Sequence, residues 1–458
     1  MKRTPSKILD ELNKNVLDKQ SAVQQLIALI ENSTKIKYRL ESLKILRKSI
    51  SIENFGGNRD SLISFFENLL ISDTDEIIRN EAALILCHEY KDKALNPMSW
   101  ALHHEDSPLC LQTILNSLIR IVKNLVKRND PITKLMLVHE IKQINEKDFK
   151  IGFEALKSTN GARDFTPREL ADILINYFAL VYLKKTNWRL KYKVYQCKII
   201  ELDFIFKGLT KLPSAIKHLT YLKKLIFRYN QITELPDWIK SLHVLESLNL
   251  NVNNLNKLPA SIGSLSHLKE LLLWKNELQD LPNSICSLQS LKYLNLRLNQ
   301  IKQLPYNFGN LINLIDLNLH DNKLTEIPES ISSLKSLNKL NLSWNLLTTL
   351  SQSITSLVSL TSLDLERNEL IKIPTSIGSL KSLEILNLGD NKIEKIPETI
   401  GNLKKLRILN ISRNKLINLP ESLCSLENLK ELYLSENILD TSSIILKKLE
   451  HKGVKIFL

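Results

Sequence analysis

The sequence predicts an α/β solenoid with a concave parallel sheet, preceded by an N-terminal all-α superhelical domain. Two observations carry this. From residue 230 to residue 437 an Asn recurs every 23 residues, ten times. Before Trp188 that period is absent, and apolar residues instead recur at three- and four-residue spacing. The division that follows is a helical repeat domain over 1–186 and a solenoid of about eleven 23-residue repeats over 187–458.

The helical part reads as pairs. SAVQQLIALIENS (21–33) goes with YRLESLKILRKSI (38–50), and SLISFFENLL (61–70) with EIIRNEAALILCHEY (76–90). PMSWALHH (97–104) goes with PLCLQTILNSLIRIVKNLV (108–126). Helices continue to about Trp188, including PRELADILINYFALVYLKK (167–185), and KSTNGARDFT (157–166) reads as a flexible stretch. In SDTDEIIRNEAALIL (72–86) acidic residues precede a helix that carries Arg79 early. Asp73 or Asp75 suits a helix N-terminus on its own. The pattern also resembles the HEAT family of helical repeats, whose Asp and Arg at those positions tie adjacent repeats together. Leu111 stands where the third pair would carry Arg. NWRLKYKVYQCK (187–198) is read as covering the first solenoid strand.

Each 23-residue unit runs L-x-x-L-x-L-x-x-N, as in LESLNLNVN (245–253), then x-L-x-x-L-P-x-x-I-x-x-L, as in KLTEIPESISSL (323–334). A degenerate first copy, IIELDFIFK (199–207), has Lys207 in the Asn slot. The alternating centre is a short strand with two Leu pointing inward. Asn both donates and accepts, so at the turn it satisfies backbone groups of its own and neighbouring repeats. Pro at 213, 236, 259, 282, 305, 328, 374, 397 and 420 fixes φ where the outer arm begins, with Ser351 and Ser443 in that slot in two repeats. One repeat cannot bury its apolar face alone, so stability comes from stacking.

These motifs resemble the leucine-rich repeat family of the 23-residue type, over about 199–458. The consensus LPxSIGxLxxLxxLNLxxN is similar to Ras-group, Shoc-2-like scaffolds and to the repeats of plant disease-resistance proteins. The resemblance implies a curved solenoid that binds other proteins on its concave sheet. The last segment, DTSSIILKKLEHKGVKIFL (440–458), departs from the repeat. Ser442 or Ser443 caps a short helix there, Gly453 ends it, and VKIF (454–457) adds a final strand as a terminal cap.

Composition narrows the function. The formal net charge of +14 is spread over both halves, which favours solubility and argues against a dedicated nucleic-acid arm. Five Cys without a C-x-x-C argue against a disulfide framework. No apolar run suits a signal peptide or the roughly 20-residue membrane span. The expectation is a protein of a reducing, cytoplasmic compartment.

Catalytic signatures are missing. The sequence has no G-x-x-x-x-G-K-[ST], no G-x-G-x-x-G, no G-x-S-x-G and no zincin spacing after His88-Glu89 or His139-Glu140. Cys87, His88, His103, His104 and Cys110 match no zinc pattern, and buried Cys beside loop His is the commoner arrangement. Cys286 and Cys424 share a slot filled elsewhere by Gly or Ser, a structural position. No catalytic residue, cofactor, metal or small-molecule substrate is expected.

The binding site is sought among side chains that point away from the core. They form columns across the sheet, with neighbours about 4.8 Å apart. The column two residues before each Asn reads Ile205, Arg228, Asn251, Trp274, Arg297, His320, Ser343, Glu366, Gly389, Ser412, Ser435. The adjoining column, one before each Asn, includes Tyr229, Trp344 and Arg367. A third, four before, is rich in Asn. Large side chains concentrate in the second to seventh repeats: Arg228, Tyr229, Trp274, Tyr293, Arg297, His320 and Trp344, adjoined by Glu366 and Arg367. Trp, Tyr and Arg dominate binding hot spots, so this cluster is the expected protein-binding face, with Trp274 as an anchor. The alternative for Trp274 is cover, packed on Arg297 or Tyr293.

The function expected is a non-enzymatic scaffold or adaptor with a protein partner on the concave face. The Ras-group resemblance implies a small GTPase or a phosphatase complex as that partner. Two other classes are a regulatory subunit of an enzyme complex, and a nucleic-acid or anionic-surface binder acting through net charge. Interspersed charges and the mixed concave face argue against the last, and no specific nucleic acid is expected.

Overall fold

The structure is a computed structural model; it describes residues 3–49, 59–128, 130–159, 165–187, 189–440 and 444–458. Trp188, Ser442, Ser443 and residues 160–164 of the 157–166 stretch therefore lie outside the described residues, while 157–159 end a helix and Thr166 caps the next. The chain divides into two compact units, Met1–Ile199 and Ile200–Leu458.

The first unit holds α1 (Pro5–Asn13), α2 (Lys19–Asn32), α3 (Ile36–Ser49), α4 (Arg59–Ser72), α5 (Glu76–Ile85), α6 (Leu95–His104), α7 (Pro108–Arg128), α8 (Pro131–Gln143), α9 (Lys147–Thr159) and α10 (Pro167–Thr186). Their starts are written in the sequence. Asp75 accepts from the N–H groups of Ile77 and Ile78 at 2.8 and 3.2 Å, which caps α5. Thr166 and Glu169 form a reciprocal capping box before α10, with Pro167 first in the helix. α7 buries Ile114, Leu118, Ile121, Val122 and Leu125 and packs against α5, α6 and α10. It is long and apolar enough to cross a membrane by length and composition, which corrects the expectation that no stretch is. Its apolar stripe serves as core in this unit.

The segment read as one helix over 76–90 is a second correction. α5 ends at Ile85, a π-turn takes Leu86–Tyr90, and Lys91 turns with φ of 44° into a 3₁₀ turn. α6 then starts at Leu95, two residues before Pro97, because a proline is tolerated in the first helical turn.

Two buried ionic rungs link the helix pairs. Arg39 bonds the Asp73 carboxylate, and Arg79 donates to the Asp73 carbonyl at 2.7 Å. Arg79 also makes a bidentate pair with Glu105, at 2.7 Å from Nε and 2.9 Å from Nη2. Asp73 is thus the linking acid and Asp75 the helix cap. The next rung ends at the buried Leu111. Burial pushes the Glu105 carboxyl up, but the Arg79 bonds and the Ser107 and Asp106 N–H groups outweigh it and hold the group below its ordinary value.

After β1 (Lys191–Tyr195), Gln196 and Cys197 have φ of 48° and 59°, the two-residue turn of a hairpin. The chain then enters β2 (Lys198–Asp203), the strand of the degenerate first copy, so the 187–198 segment holds β1 and this turn ahead of it.

The second unit is a solenoid. β3 (Lys224–Ile226), β4 (Ser247–Asn249), β5 (Glu270–Leu272), β6 (Tyr293–Asn295), β7 (Asp316–Asn318), β8 (Lys339–Asn341), β9 (Ser362–Asp364), β10 (Ile385–Asn387), β11 (Ile408–Asn410) and β12 (Glu431–Tyr433) follow in strict order. Each pairs in parallel with the next, in register by whole repeats: Leu248 opposite Leu271, Leu271 opposite Leu294. The inward Leu, the Ile of the 3₁₀ turns on the outer arm (Phe308 and Leu423 in two of them) and the stacked Phe204 and Phe227 rings form one continuous core. α11 (Ile444–His451), Gly453 at φ of 81° and β13 (Lys455–Phe457), parallel to β12, complete the unit as the sequence predicts.

The Asn ladder works as its chemistry demands. Asn253 Nδ2 donates to Phe227 O of the preceding repeat at 2.9 Å and to Leu250 O of its own at 3.0 Å. Its Oδ1 accepts the Ile232 N–H at 3.0 Å. The same bonds recur at Asn276, Asn299, Asn322, Asn345, Asn368, Asn391, Asn414 and Asn437. Buried carbonyls of every turn are thereby satisfied, and the turns stack as one rigid edge.

Candidate protein-binding face

The side chains six, four and two residues before each Asn stand on the sheet face opposite the core. The column one before each Asn lies elsewhere. Its eleven residues, Phe206 to Glu436, have φ between 51° and 58°, so they sit on a left-handed turn at the strand's end. None is Gly. This conformation costs an ordinary residue roughly 1–2 kcal/mol, and more for β-branched Val252. Tyr229, Trp344 and Arg367 therefore form a rim beside the sheet, a correction to their reading as a strand column. The side chains at this rim were not chosen to suit its backbone.

The structure brings two groups of predicted residues together. In the first, Arg228 lies over Tyr229, guanidinium carbon 4.6 Å from the ring centroid, and Tyr229 stacks on the exposed Phe206 at 4.5 Å. In the second, His320 meets Trp344 edge-on at 6.1 Å, and Arg367 lies over the Trp344 ring at 4.0 Å. Glu366 Oε2 accepts from Asn387 Nδ2 at 3.3 Å. Tyr293 and Arg297 are exposed, and Tyr293 stands in register between Glu270 and Asp316.

Trp274 joins neither group. Among the described residues it makes no ring or cation–π contact with Tyr293 or Arg297, and its ring is half-buried. Its backbone N–H donates to Asn251 Oδ1 at 2.8 Å. Its indole Nε1 is buried without a hydrogen-bond partner, as is Nε of Arg228. Sequence reasoning passed over Phe206, Asn251, Lys275 and Asp390; their place in the columns was visible, but their pairing depends on rotamers.

Electrostatics divide the face. In the late repeats cations are paired: Arg367 with Asp390 at 3.1 Å and Arg413 with Glu436 at 2.9 Å. In the early repeats Arg228, Lys275 and Arg297 have no carboxylate partner among the described residues. His320 Nδ1 is 2.7 Å from Ser343 Oγ, and that hydroxyl donates to Asn341 Oδ1 at 2.6 Å. The Nδ1 must then carry the proton, which leaves Nε2 as an acceptor while the ring is neutral. Burial, then the Arg297 charge, lowers the His320 pKa.

The solenoid pattern now has an external counterpart. Residues 260–354 and 348–451 match the family model of a leucine-rich repeat region. The chain belongs to the leucine-rich repeat family. A leucine-rich repeat protein of Leptospira interrogans is 30% identical over 57% of this chain and 85% of its own, with a TM-score of 0.40. The functional domain of InlJ from Listeria monocytogenes is 25% identical over 57% of this chain and 53% of that one, with a TM-score of 0.48. The crystal structure of a TDR receptor is 28% identical over 52% and 43%, with a TM-score of 0.50. This chain spans less than two thirds of the last two. No curated protein matches it. A leucine-rich repeat presents its side chains at fixed rung spacing on a stacked framework, which suits binding to another protein.

Other candidate residues of this leucine-rich repeat protein are engaged separately. Cys110 Sγ donates to Glu76 O at 3.0 Å, His103 Nε2 lies 2.7 Å from the Tyr177 hydroxyl, and His104 stacks on Trp100 at 3.8 Å. Burial pushes the Cys110 and Cys286 thiols up to about 11. Neither thiol is a ready nucleophile at neutral pH. The groove of about 690 Å³ where the outer arms begin is lined by Asp280, Gln303, Pro305, Tyr306, Glu326 and Glu329, and it holds none of the predicted site residues.

Proposed function

We propose that this leucine-rich repeat protein is a non-enzymatic scaffold or adaptor. Its protein partner docks on the sheet face and rim of the second to seventh repeats. One observation carries the reading. On a framework that repeats its hydrogen bonds every 23 residues, the outward side chains do not repeat. Arg228, Trp274, Arg297 and His320 occupy the column that later holds Gly389, Ser412 and Ser435. Packing needs are the same in both halves, so the difference points to a ligand.

Finer parts of the reading rest on likeness. The Arg39–Asp73 and Arg79–Glu105 rungs support a HEAT-like assignment for the helical unit, which would offer a second extended surface. The Ras-group likeness of the repeat consensus favours signalling, with a small GTPase or a phosphatase complex as partner. Five unpaired cysteines, four of them buried, support a cytoplasmic location.

The test is affinity capture from lysate of the native organism, with wild type and a Trp274→Ala, Arg297→Ala, Trp344→Ala variant matched for folding by circular dichroism. A protein recovered by the wild type and lost by the variant is expected. Identical recovery by both would remove the sheet face as the site.

A further inference from the structure

We propose that the row Arg228, Asn251, Trp274, Arg297, His320 reads an acidic, extended segment of the partner protein. This rests on the sheet-face reading above and specifies its ligand chemistry.

Four of the row's five side chains supply donors. Arg228 and Arg297 offer only N–H groups. Asn251 gives its Oδ1 to the Trp274 backbone, so what it keeps for a partner is its N–H pair. Trp274 offers only its indole N–H. Two donors of the row, Nε of Arg228 and Nε1 of Trp274, are buried and unsatisfied in the free molecule. Such a group costs free energy. Both atoms are closed to solvent, so an entering acceptor relieves that cost once the side chain turns outward to meet it. Lys275 adds a further unpaired cation on the adjoining rim. The five rungs span about 19 Å, the reach of an extended peptide of about six residues.

The comparison within the chain decides the sign of the ligand. The solenoid has the means to neutralise a cation, since the next repeat supplies Asp390 to Arg367 and Glu436 to Arg413. It supplies no such carboxylate to Arg228, Lys275 or Arg297. Unpaired cations in a row of donors complement carboxylates. A uniform polyanion fits less well. Glu270 and Asp316 flank the row on the six-before column, Asp321 closes it on the rim, and Glu366 stands two rungs on. A nucleic acid lying across the face would meet those charges, whereas a peptide can alternate its own.

His320 tunes the end of the row. Neutral, it presents an acceptor at Nε2; protonated, it becomes a donor while keeping its bond to Ser343. Binding of the acidic segment therefore strengthens as His320 gains its proton and weakens again once the segment's own carboxylates are protonated.

The experiment is selection of random phage-displayed dodecapeptides on the full chain, followed by titration of a selected peptide. The expected outcome is enrichment of Asp and Glu. Affinity falls about tenfold in an Arg228→Gln, Arg297→Gln variant, weakens with salt, and is unchanged in Arg413→Gln. Neutral or basic selected peptides that lose binding on Trp274→Ala would overturn the acidic ligand and leave the sheet-face reading standing. Failure to enrich, or peptides indifferent to both variants, would overturn the two together. A single-stranded thymidine oligonucleotide bound as tightly as the selected peptide would replace the peptide with a nucleic acid.

Discussion

Arg367 lies over the indole of Trp344, its guanidinium carbon 4.0 Å from the ring centroid. The same guanidinium is also held by Asp390, 3.1 Å from Nε. Both ring and cation sit on left-handed turns, one repeat apart. The contact is a rung of the rim, and it keeps an otherwise exposed Trp in one orientation. A cycle of Trp344→Ala, Arg367→Ala and the double variant should show a coupling of about 0.5–1 kcal/mol in urea unfolding. Strict additivity would mean that the two side chains merely lie near each other.

The Asn ladder makes a larger claim. In Asn299→Ala the Leu278 N–H loses its partner, and the Leu273 and Leu296 carbonyls each fall from two ladder donors to one, since Asn276 and Asn322 still reach them; Asn299 is buried. The orphaned N–H costs about 1–3 kcal/mol, although water entry at the turn relieves part of it. The expected loss is about 1–3 kcal/mol in chemical unfolding. Asn256→Ala, on an exposed arm, should change stability by less than about 0.5 kcal/mol. Equal effects at the two sites would show that the ladder is incidental to stability.

These positions also show what a sequence can disclose. The 23-residue frame was legible because each slot answers its own constraint: inward Leu for burial, Asn for orphan carbonyls, Pro for a fixed φ. The left-handed rim was not. Phe206, Val252 and Leu298 argue against positive φ by every local preference, and the stacked Asn bonds impose it. The π-turn at Leu86–Tyr90 was hidden because the apolar spacing of 76–90 runs through it unbroken. For the candidate site, alternation along the strand showed which side chains face outward. It could not show that Arg367 would find Asp390 while Arg297 finds no carboxylate, because that depends on side-chain reach between neighbouring repeats.

Breaking the Arg79–Glu105 rung should unsettle the helical unit. Glu105 has a side chain only 5% exposed, so Arg79→Leu strands a buried carboxylate, at a cost of about 3–5 kcal/mol. The pH dependence gives the sign. The folded-state pKa of Glu105 is depressed, so its contribution is present above the unfolded value and is lost as pH falls through the folded one. In Arg79→Leu, burial is opposed only by the Ser107 and Asp106 N–H groups, and the acid-side loss shrinks. The gap between wild type and variant should therefore narrow from neutral pH down past the carboxylate range. A constant gap in urea unfolding across that range would show that the pair carries no net linkage.

Trp274 separates stability from binding. Its indole N–H is buried without a partner, so Trp274→Phe removes a donor the fold does not use. Relief of the orphan, about 1–3 kcal/mol, offsets the apolar area lost with the smaller ring. The variant should unfold within about 1 kcal/mol of wild type, whereas Trp274→Ala, which also empties the space, should cost more. Binding should rank the variants differently. If the N–H is kept for a partner's carboxylate, Trp274→Phe loses affinity for a selected acidic peptide although its stability is intact. Parallel measurement of unfolding and of peptide titration makes the distinction. Trp274→Phe binding as well as wild type would reduce Trp274 to an apolar contact and leave Arg228 and Arg297 as the groups that read the ligand.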